Sequence, residues 1–139
     1  MIVLDTNVLS ALMLAQPEVV VASWLDRQAR TSVWTTSITI FEIRCGLTAM
    51  PAGRRRTERH DLFERLIDEK LEGRVLFFDI QAAEEAAILM VERRRIGRVG
   101  ELRDTMIAGI ALAQRATLAT RNLRHFDDLR TPVVDPWRA

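Results

Sequence analysis

Residues 1–7 read MIVLDTN, a short apolar run that stops at Asp5 and is followed by two polar residues, Thr6 and Asn7. The run is brief and contains β-branched residues, so it predicts a β-strand. A continuously apolar strand suits a parallel sheet that is covered on both faces. Because such sheets bind ligands at the carboxyl ends of their strands, Asp5 has two interpretations. It caps the next helix, or it belongs to a site at the sheet edge.

Further strands are predicted along the chain at SVWTT, VLFFD, TLAT and PVVDP, and helical segments separate them. In the helix after VLFFD, spacing predicts an inward face made of Ala83, Ala87, Met90 and Val91. Strands that alternate with helices predict an α/β fold: a parallel sheet of four to five strands flanked by helices on both faces. The length of 139 residues predicts a single domain, residues 1–139.

Composition restricts the class of protein. Hydrophobic residues make up 48% and charged residues 28%, which is typical of a globular chain. No apolar stretch is long enough for a membrane span, and no signal peptide is recognised at the N-terminus. Cys45 is the only cysteine, which excludes internal disulfides and cysteine-based zinc clusters. We therefore expect a cytoplasmic protein that does not associate with membranes.

Three carboxylates stand among apolar neighbours. Asp5 ends a buried strand, Glu42 lies in an apolar helical segment, and Asp104 precedes the apolar run MIAGIALA. Buried carboxylates are costly unless a cation or hydrogen bonds satisfy them, and hard oxygen ligands favour Mg²⁺ or Mn²⁺. Structural alternatives are an ion pair of Glu42 with Arg44 or Arg121, and a first-turn role for Asp104 at the helix dipole.

The motifs MIVLDTNVLS, SITIFEIRCGL, DTMIAGIALAQRATLATRNLRHF and DPW occur in this order over essentially the whole chain. Together they resemble the PIN-domain ribonucleases, and more closely the VapC-type toxins of bacterial toxin–antitoxin pairs, with FitB-like proteins nearest. The resemblance implies a PIN-like fold with an acidic pocket at the strand ends.

The resemblance also assigns roles to residues. Asp5, Glu42 and Asp104 become the catalytic, metal-binding acids, with Mg²⁺ as the expected ion and Mn²⁺ as an alternative. Supporting roles fall to three polar residues: Thr6, Asn7 and Asn122. Relatives carry a fourth Asp where this chain has Asn122 or His125, which puts a second metal in doubt. Asp127 and Asp128 lie close by, and we expect both to be exposed to solvent.

The implied function is that of a Mg²⁺-dependent endoribonuclease, the toxin of a type II toxin–antitoxin pair. A metal-activated water would attack the RNA phosphodiester and leave a 5′-phosphate. The candidate RNA-binding residues are Arg54, Arg55, Arg56, Arg103, Arg121 and His125. The implied partners are RNA, a small cognate antitoxin, a second copy of the chain in a homodimer, and a higher toxin–antitoxin assembly.

A non-enzymatic alternative remains open. Without a fourth carboxylate, the chain would be a catalytically weak PIN-like binding module that acts with its antitoxin on DNA. A phosphatase of the HAD type is disfavoured, because Asn7 stands where that chemistry needs a second Asp. Binding of Mg²⁺ or Mn²⁺ would distinguish a catalytic pocket from a scaffold.

Overall fold

Five parallel strands form one sheet in the computed structural model, which describes residues 1–139. The strands are β1 (Ile2–Leu4), β2 (Val33–Thr36), β3 (Val75–Leu76), β4 (Thr117–Ala119) and β5 (Val133–Val134). Their spatial order is β3-β2-β1-β4-β5, so β1 lies at the centre. The predicted parallel α/β architecture is confirmed.

Six α-helices connect the strands. They are α1 (Thr6–Leu12), α2 (Val19–Asp26), α3 (Ser37–Ala49), α4 (Arg54–Arg65), α5 (Ile80–Arg95) and α6 (Leu102–Gln114). A single π-helical turn, Leu66–Lys70, extends α4, and 3₁₀ turns lie at Arg30–Ser32 and Leu123–His125. None of the helices combines the length and apolar character that crossing a membrane requires.

Helices cover both faces of the sheet, because successive side chains of β1 point into two different buried clusters. Leu4 packs into one buried cluster with side chains of α1 to α4, such as Val8 and Phe63. Val3 points the other way into a second cluster with Leu118 and with residues of α5 and α6. Val3 and Leu4 are each 0% exposed, which explains why this strand is apolar at every position.

The strand order creates a switch point beside β1. The chain builds β2 and β3 on one side of β1 and then places β4 and β5 on the other. The connections that follow β1 and β4 therefore run in opposite directions, which leaves a crevice between the ends of these two strands. Ligands of open parallel sheets bind in such a crevice. Asp5 directly follows β1, and Thr120 directly follows β4.

The third strand is shorter than VLFFD predicts. Pairing with β2 ends at Leu76, and the next residue, Phe77, is 72% exposed at the sheet edge. Asp79 then caps α5 by accepting a hydrogen bond from the backbone N–H of Ala82 at 2.9 Å.

The inward face of α5 differs from the predicted one by one position. Ala87 and Val91 are exposed, whereas the buried stripe consists of Ala82, Ala86, Leu89 and Arg93. The cause is the close approach of α6, whose Gly109 lies against the first turns of α5. The sequence pattern was ambiguous because apolar residues occur on several sides of this helix, and contact with Gly109 selects the side that is buried.

Replacing Gly109 with alanine is expected to lower the free energy of unfolding by about 2–3 kcal/mol. An added Cβ would lie 2.5 Å from the backbone oxygen of Ala82 and 2.7 Å from the Cβ of Ala86, so the helices must separate. Urea unfolding measures the loss. Gly46→Ala is the matched control, because nothing lies within 4 Å of its Cβ in α3 and we expect a gain of about 0.5–1 kcal/mol. Equal urea midpoints for the two variants would contradict the close-contact argument.

Candidate active site

Asp5 caps a helix and also lies at the edge of the sheet where a site is predicted. It is the N-cap of α1, and its Oδ1 accepts from the backbone N–H of Thr6 at 2.7 Å. Its Oδ2 accepts from the hydroxyl of Thr120 at 2.7 Å and from Nδ2 of Asn7 at 3.2 Å. The side chain is thereby fixed at the switch point, and Asp5 is only 3% exposed.

Glu42, on α3, is held by the first of a chain of threonine hydroxyls. Its Oε1 accepts from the hydroxyl of Thr6 at 3.1 Å, and Thr6 Oγ1 lies 3.1 Å from Thr39 Oγ1. The hydroxyl of Thr36, which also caps α3, lies 3.3 Å from Thr39 Oγ1. Glu42 therefore pairs with neither arginine suggested by the sequence: Arg44 bonds to Glu64, and Arg121 lies over Trp137.

Asp104 lies in the first turn of α6 and faces His125. Its backbone N–H donates to Glu101, the N-cap of that helix. Its Oδ2 accepts from Nδ1 of His125 at 2.8 Å. Asp104 is thus both a first-turn acid, as the helix dipole favours, and half of a carboxylate–imidazole pair.

The three carboxylates lie close enough for their charges to raise the pKa values of Asp5 and Glu42, to which burial contributes most. Burial raises the pKa of Asp5, hydrogen bonds from Thr120 and Thr6 lower it, and the charge of Asp104 raises it further. Burial also raises the pKa of Glu42, against the effects of Thr6 and Arg103, and the charges of Asp5 and Asp104 add to the increase. A bound cation would reduce the repulsion between these negative charges in a pocket that is partly shielded from water.

The donor set fits a hard cation that remains partly hydrated. No three His, Cys, Asp or Glu side chains are grouped tightly enough to form a protein-only cage. Mg²⁺ rarely needs one, since it usually keeps several waters and binds one or two carboxylates together with substrate phosphates. The carboxylate oxygens of Asp5, Glu42 and Asp104 are hard donors of the kind that such an ion prefers.

At the fourth acidic place, the structure distinguishes His125 from Asn122. His125 contacts Asp104, whereas Asn122 reaches the cluster through its backbone N–H, which donates to Thr120 at 3.1 Å. Asp127 and Asp128 are both exposed residues, as expected, but Asp128 is also tied to a buried partner. Its side chain is 24% exposed and is bound by the buried Arg93.

Arg93 ties the 3₁₀ turn to α6. The guanidinium donates to both oxygens of Asp128 at 2.8 and 2.9 Å, and to the backbone oxygen of His125 at 2.8 Å. It also donates to the hydroxyl of Thr105 at 3.3 Å, next to Asp104. One buried side chain therefore holds the segments that carry both members of the His125–Asp104 pair.

The candidate RNA-binding arginines fall into two groups. Arg103 lines a cavity of about 320 Å³ together with Glu42 and Thr6, and Arg121 donates its backbone N–H to Asn7. The second group, at the start of α4, has no hydrogen bond or ion pair with the acids and consists of Arg54, Arg55 and Arg56. Arg54 instead pairs with Glu58, one turn along the helix. A role in RNA binding stays a prediction for both groups.

Sequence reasoning missed Thr120, Thr39 and Arg59. Thr120 donates the shortest side-chain hydrogen bond to Asp5, Thr39 supports Thr6, and Arg59 lines the cavity beside Glu42. The one available signal was the threonine that ends TLAT, a hydroxyl placed directly after a buried strand.

Replacing Glu42 with glutamine is expected to stabilise the metal-free protein at neutral pH, because it removes a charge that burial and the neighbouring acids disfavour. The folded pKa of Glu42 is raised above 4.5, so the wild type loses stability as pH rises from that value through the folded pKa. The variant lacks this loss and can still accept the Thr6 hydrogen bond. Urea unfolding in EDTA should show a difference that is near zero below about pH 4 and grows toward neutrality.

The control for this experiment is Glu84→Gln, which removes the same charge from an exposed position on α5. It should leave stability within about 0.5 kcal/mol of wild type at every pH. A Glu42→Gln protein that is less stable than wild type at neutral pH would contradict the view that like-charge repulsion and burial dominate at this site.

Comparisons with known proteins agree with the fold. The model of the PIN domain family matches residues 2–131. The VapC ribonuclease Y4jK of Sinorhizobium fredii is 40% identical over 137 residues, which cover 99% of this chain and 98% of that protein. The toxin FitB of Neisseria gonorrhoeae is 32% identical, with 99% of each chain covered. In a solved structure of FitAB bound to an IR36 DNA fragment, the matching chain has a TM-score of 0.88 over 99% of this chain and 96% of its own.

Proposed function

The chain is a member of the PIN-domain family, and from this premise we propose that it is a Mg²⁺-dependent endoribonuclease, the toxin of a type II toxin–antitoxin pair acting in the cytoplasm. The observation that carries the proposal is the Asp5 carboxylate, 3% exposed at the switch point of the sheet. Burial and the charge of Asp104 raise the pKa of Asp5. Burial and the charges of Asp5 and Asp104 raise the pKa of Glu42.

The names of the relatives support the substrate and the partner. One relative is a VapC ribonuclease, one is the toxin FitB, and the matching structures are FitAB and VapBC complexes. We propose RNA as the substrate and a small antitoxin as the partner. A homodimer and a higher toxin–antitoxin assembly complete the proposed set of interactions.

The acids that would hold Mg²⁺, or Mn²⁺ in its place, are Asp5, Glu42 and Asp104. When bound, such an ion lowers the pKa of a coordinated water and neutralises charge on the phosphoryl oxygens. Hydrolysis would leave a 5′-phosphate and a 3′-hydroxyl.

The protein's own groups keep this site in place. The hydroxyl of Thr120 and the amide of Asn7 both donate to Asp5 Oδ2, so that carboxylate cannot rotate freely. Thr6 fixes Asp5 through its backbone N–H and Glu42 through its hydroxyl. Arg103 lies beside Glu42 in the cavity, where its charge can attract an RNA phosphate.

One observation favours a second candidate function. His125 and Asn122 occupy the place of the fourth acid, and a chain with fewer metal ligands would be a binding module that acts with its antitoxin on DNA. The FitAB complex, which contains a relative of this chain, is bound to a DNA fragment in its solved structure. A module of this kind needs no Mg²⁺.

The deciding experiment incubates the purified chain with total RNA and maps new 5′ ends, with Mg²⁺ or with EDTA. We expect 5′-phosphate ends that appear only with Mg²⁺, and thermal stabilisation by Mg²⁺ in the absence of RNA. Two results together would favour the binding module: the RNA remains intact, and the melting temperature of the protein does not respond to Mg²⁺ or Mn²⁺.

A further inference from the structure

A second cavity of about 490 Å³ adjoins the acidic site on the side of β4 and β5. Its walls come from the 3₁₀ turn after β4 and from the C-terminal segment. Basic side chains dominate the lining, with Arg121, Arg124 and Arg138 against the single carboxylate of Asp135. That carboxylate is 8% exposed, accepts from the backbone N–H of Trp137 and pairs with Arg138 at 3.8 Å, which leaves Arg121 and Arg124 as the excess positive charge of the walls.

Arg121 and Trp137 form a cation–π contact in this cavity. The guanidinium carbon of Arg121 lies 4.7 Å from the centre of the Trp137 ring. Trp137 is held at its ring and at its backbone, because its Nε1 donates to Glu18 and its backbone N–H donates to Asp135. Arg121 is an exposed residue, so the face of its guanidinium that turns away from the ring is available to a ligand.

The wall of the cavity is joined to the acids by hydrogen bonds. The backbone N–H of Arg121 donates to Asn7 at 3.1 Å, and Asn7 donates to Asp5. His125 lines the cavity and donates to Asp104 at 2.8 Å. The cavity therefore adjoins Asp5 and Asp104 through their direct hydrogen-bond partners.

We propose that this cavity seats one nucleotide of single-stranded RNA next to the scissile phosphate, with its base stacked on the Arg121 guanidinium. The inference rests on the proposed ribonuclease function and specifies how the substrate is held. Unpaired bases stack on the planes of arginine guanidinium groups and on aromatic rings. Positively charged grooves bind the phosphate backbone. A guanidinium held against Trp137 offers such a plane without ordering a mobile side chain.

The test compares two ligands in EDTA, so that binding is measured without cleavage. One is a short fluorescent oligoadenylate, and the other is an abasic ribose–phosphate chain of the same length. The wild type should bind oligoadenylate about tenfold more tightly. Arg121→Lys keeps the charge and loses the plane, so it should bind both ligands equally, with unchanged affinity for the abasic chain.

Arg130→Lys is the matched control, since Arg130 pairs with Glu85 outside the cavity and its replacement should preserve the tenfold preference. The inference is overturned if the wild type binds both ligands equally, which would leave the cavity to a peptide such as an antitoxin segment. It is also overturned if Arg121→Lys keeps the preference. Either result alongside Mg²⁺-dependent cleavage leaves the proposed function intact. An Arg121-dependent preference without cleavage would overturn the proposed function and leave the cavity as a binding site for single-stranded RNA.

Discussion

Replacing Asp5 with asparagine is expected to reduce Mg²⁺-dependent RNA cleavage by about a thousandfold or more. The substitution keeps the shape of the side chain and an oxygen for the Thr6 N–H. It removes the negative charge at the switch point, together with one acceptor for the hydrogen bonds from Thr120 and Asn7. Cleavage of a mapped RNA by wild type and variant, at equal protein concentration, measures the loss.

Asp104→Asn should give a comparable loss, because the two carboxylates act on the same pocket. Both variants should still unfold in one cooperative thermal transition. Asp26→Asn provides the matched control, since Asp26 is an exposed partner of Lys70 and its replacement should leave cleavage unchanged. Cleavage that persists in an Asp5→Asn preparation freed of contaminating nucleases would reject the assignment of the acids.

Arg93→Met is expected to lower the free energy of unfolding by about 3–4 kcal/mol at neutral pH. The guanidinium is 3% exposed and bonds to Asp128, to the His125 carbonyl and to Thr105. Methionine fills much of the same volume but leaves these partners without their donor, and unpaired buried groups bear the full cost of desolvation. Urea unfolding is the measurement.

The pH dependence of this loss has a definite sign. Arg93 holds the pKa of Asp128 below its ordinary value of 3.8, against the opposing effect of burial. The pair therefore stabilises the fold above that pH, and the contribution is lost as pH falls through the lower folded pKa. The difference between wild type and Arg93→Met should narrow below about pH 4.

Two further variants complete the test. Arg95→Met, at the exposed end of α5, should stay within about 0.5 kcal/mol of wild type. Replacing Arg93 and Asp128 together by apolar residues should restore part of the stability that the single variant loses. If the single Arg93→Met variant had the urea midpoint of wild type, that result would contradict the view that Arg93 holds the 3₁₀ turn against α6.

Local patterns predicted much of the fold. A short apolar strand that ends in a carboxylate, followed by alternating helices and strands, was sufficient for the parallel sheet and for the position of Asp5 at its edge. The inward side of α5 was predicted incorrectly, because that choice depends on the approach of Gly109 from a distant helix. Burial of Arg93 was missed for a related reason: the arginine run resembles a solvated helix end, and its partner Asp128 is far along the chain.

The acids of the site were easier to recognise than the groups that hold them. A carboxylate among apolar neighbours is unusual, so Glu42 and Asp104 were visible in the sequence. A threonine is common everywhere, and the role of Thr120 appears only when β4 is placed beside β1. His125 was an open case for the same reason, since its contact with Asp104 exists only after the 3₁₀ turn folds back onto α6.

The double role of Asp5 as helix cap and acid has a consequence for how such a gene decays. Asparagine caps helices about as well as aspartate does, so the fold tolerates a change that removes the charge. A single-base mutation of this kind would yield an inactive protein that still has the shape its antitoxin recognises. Under the proposed function, such a decoy would occupy antitoxin, and a neighbouring active copy would be left less restrained.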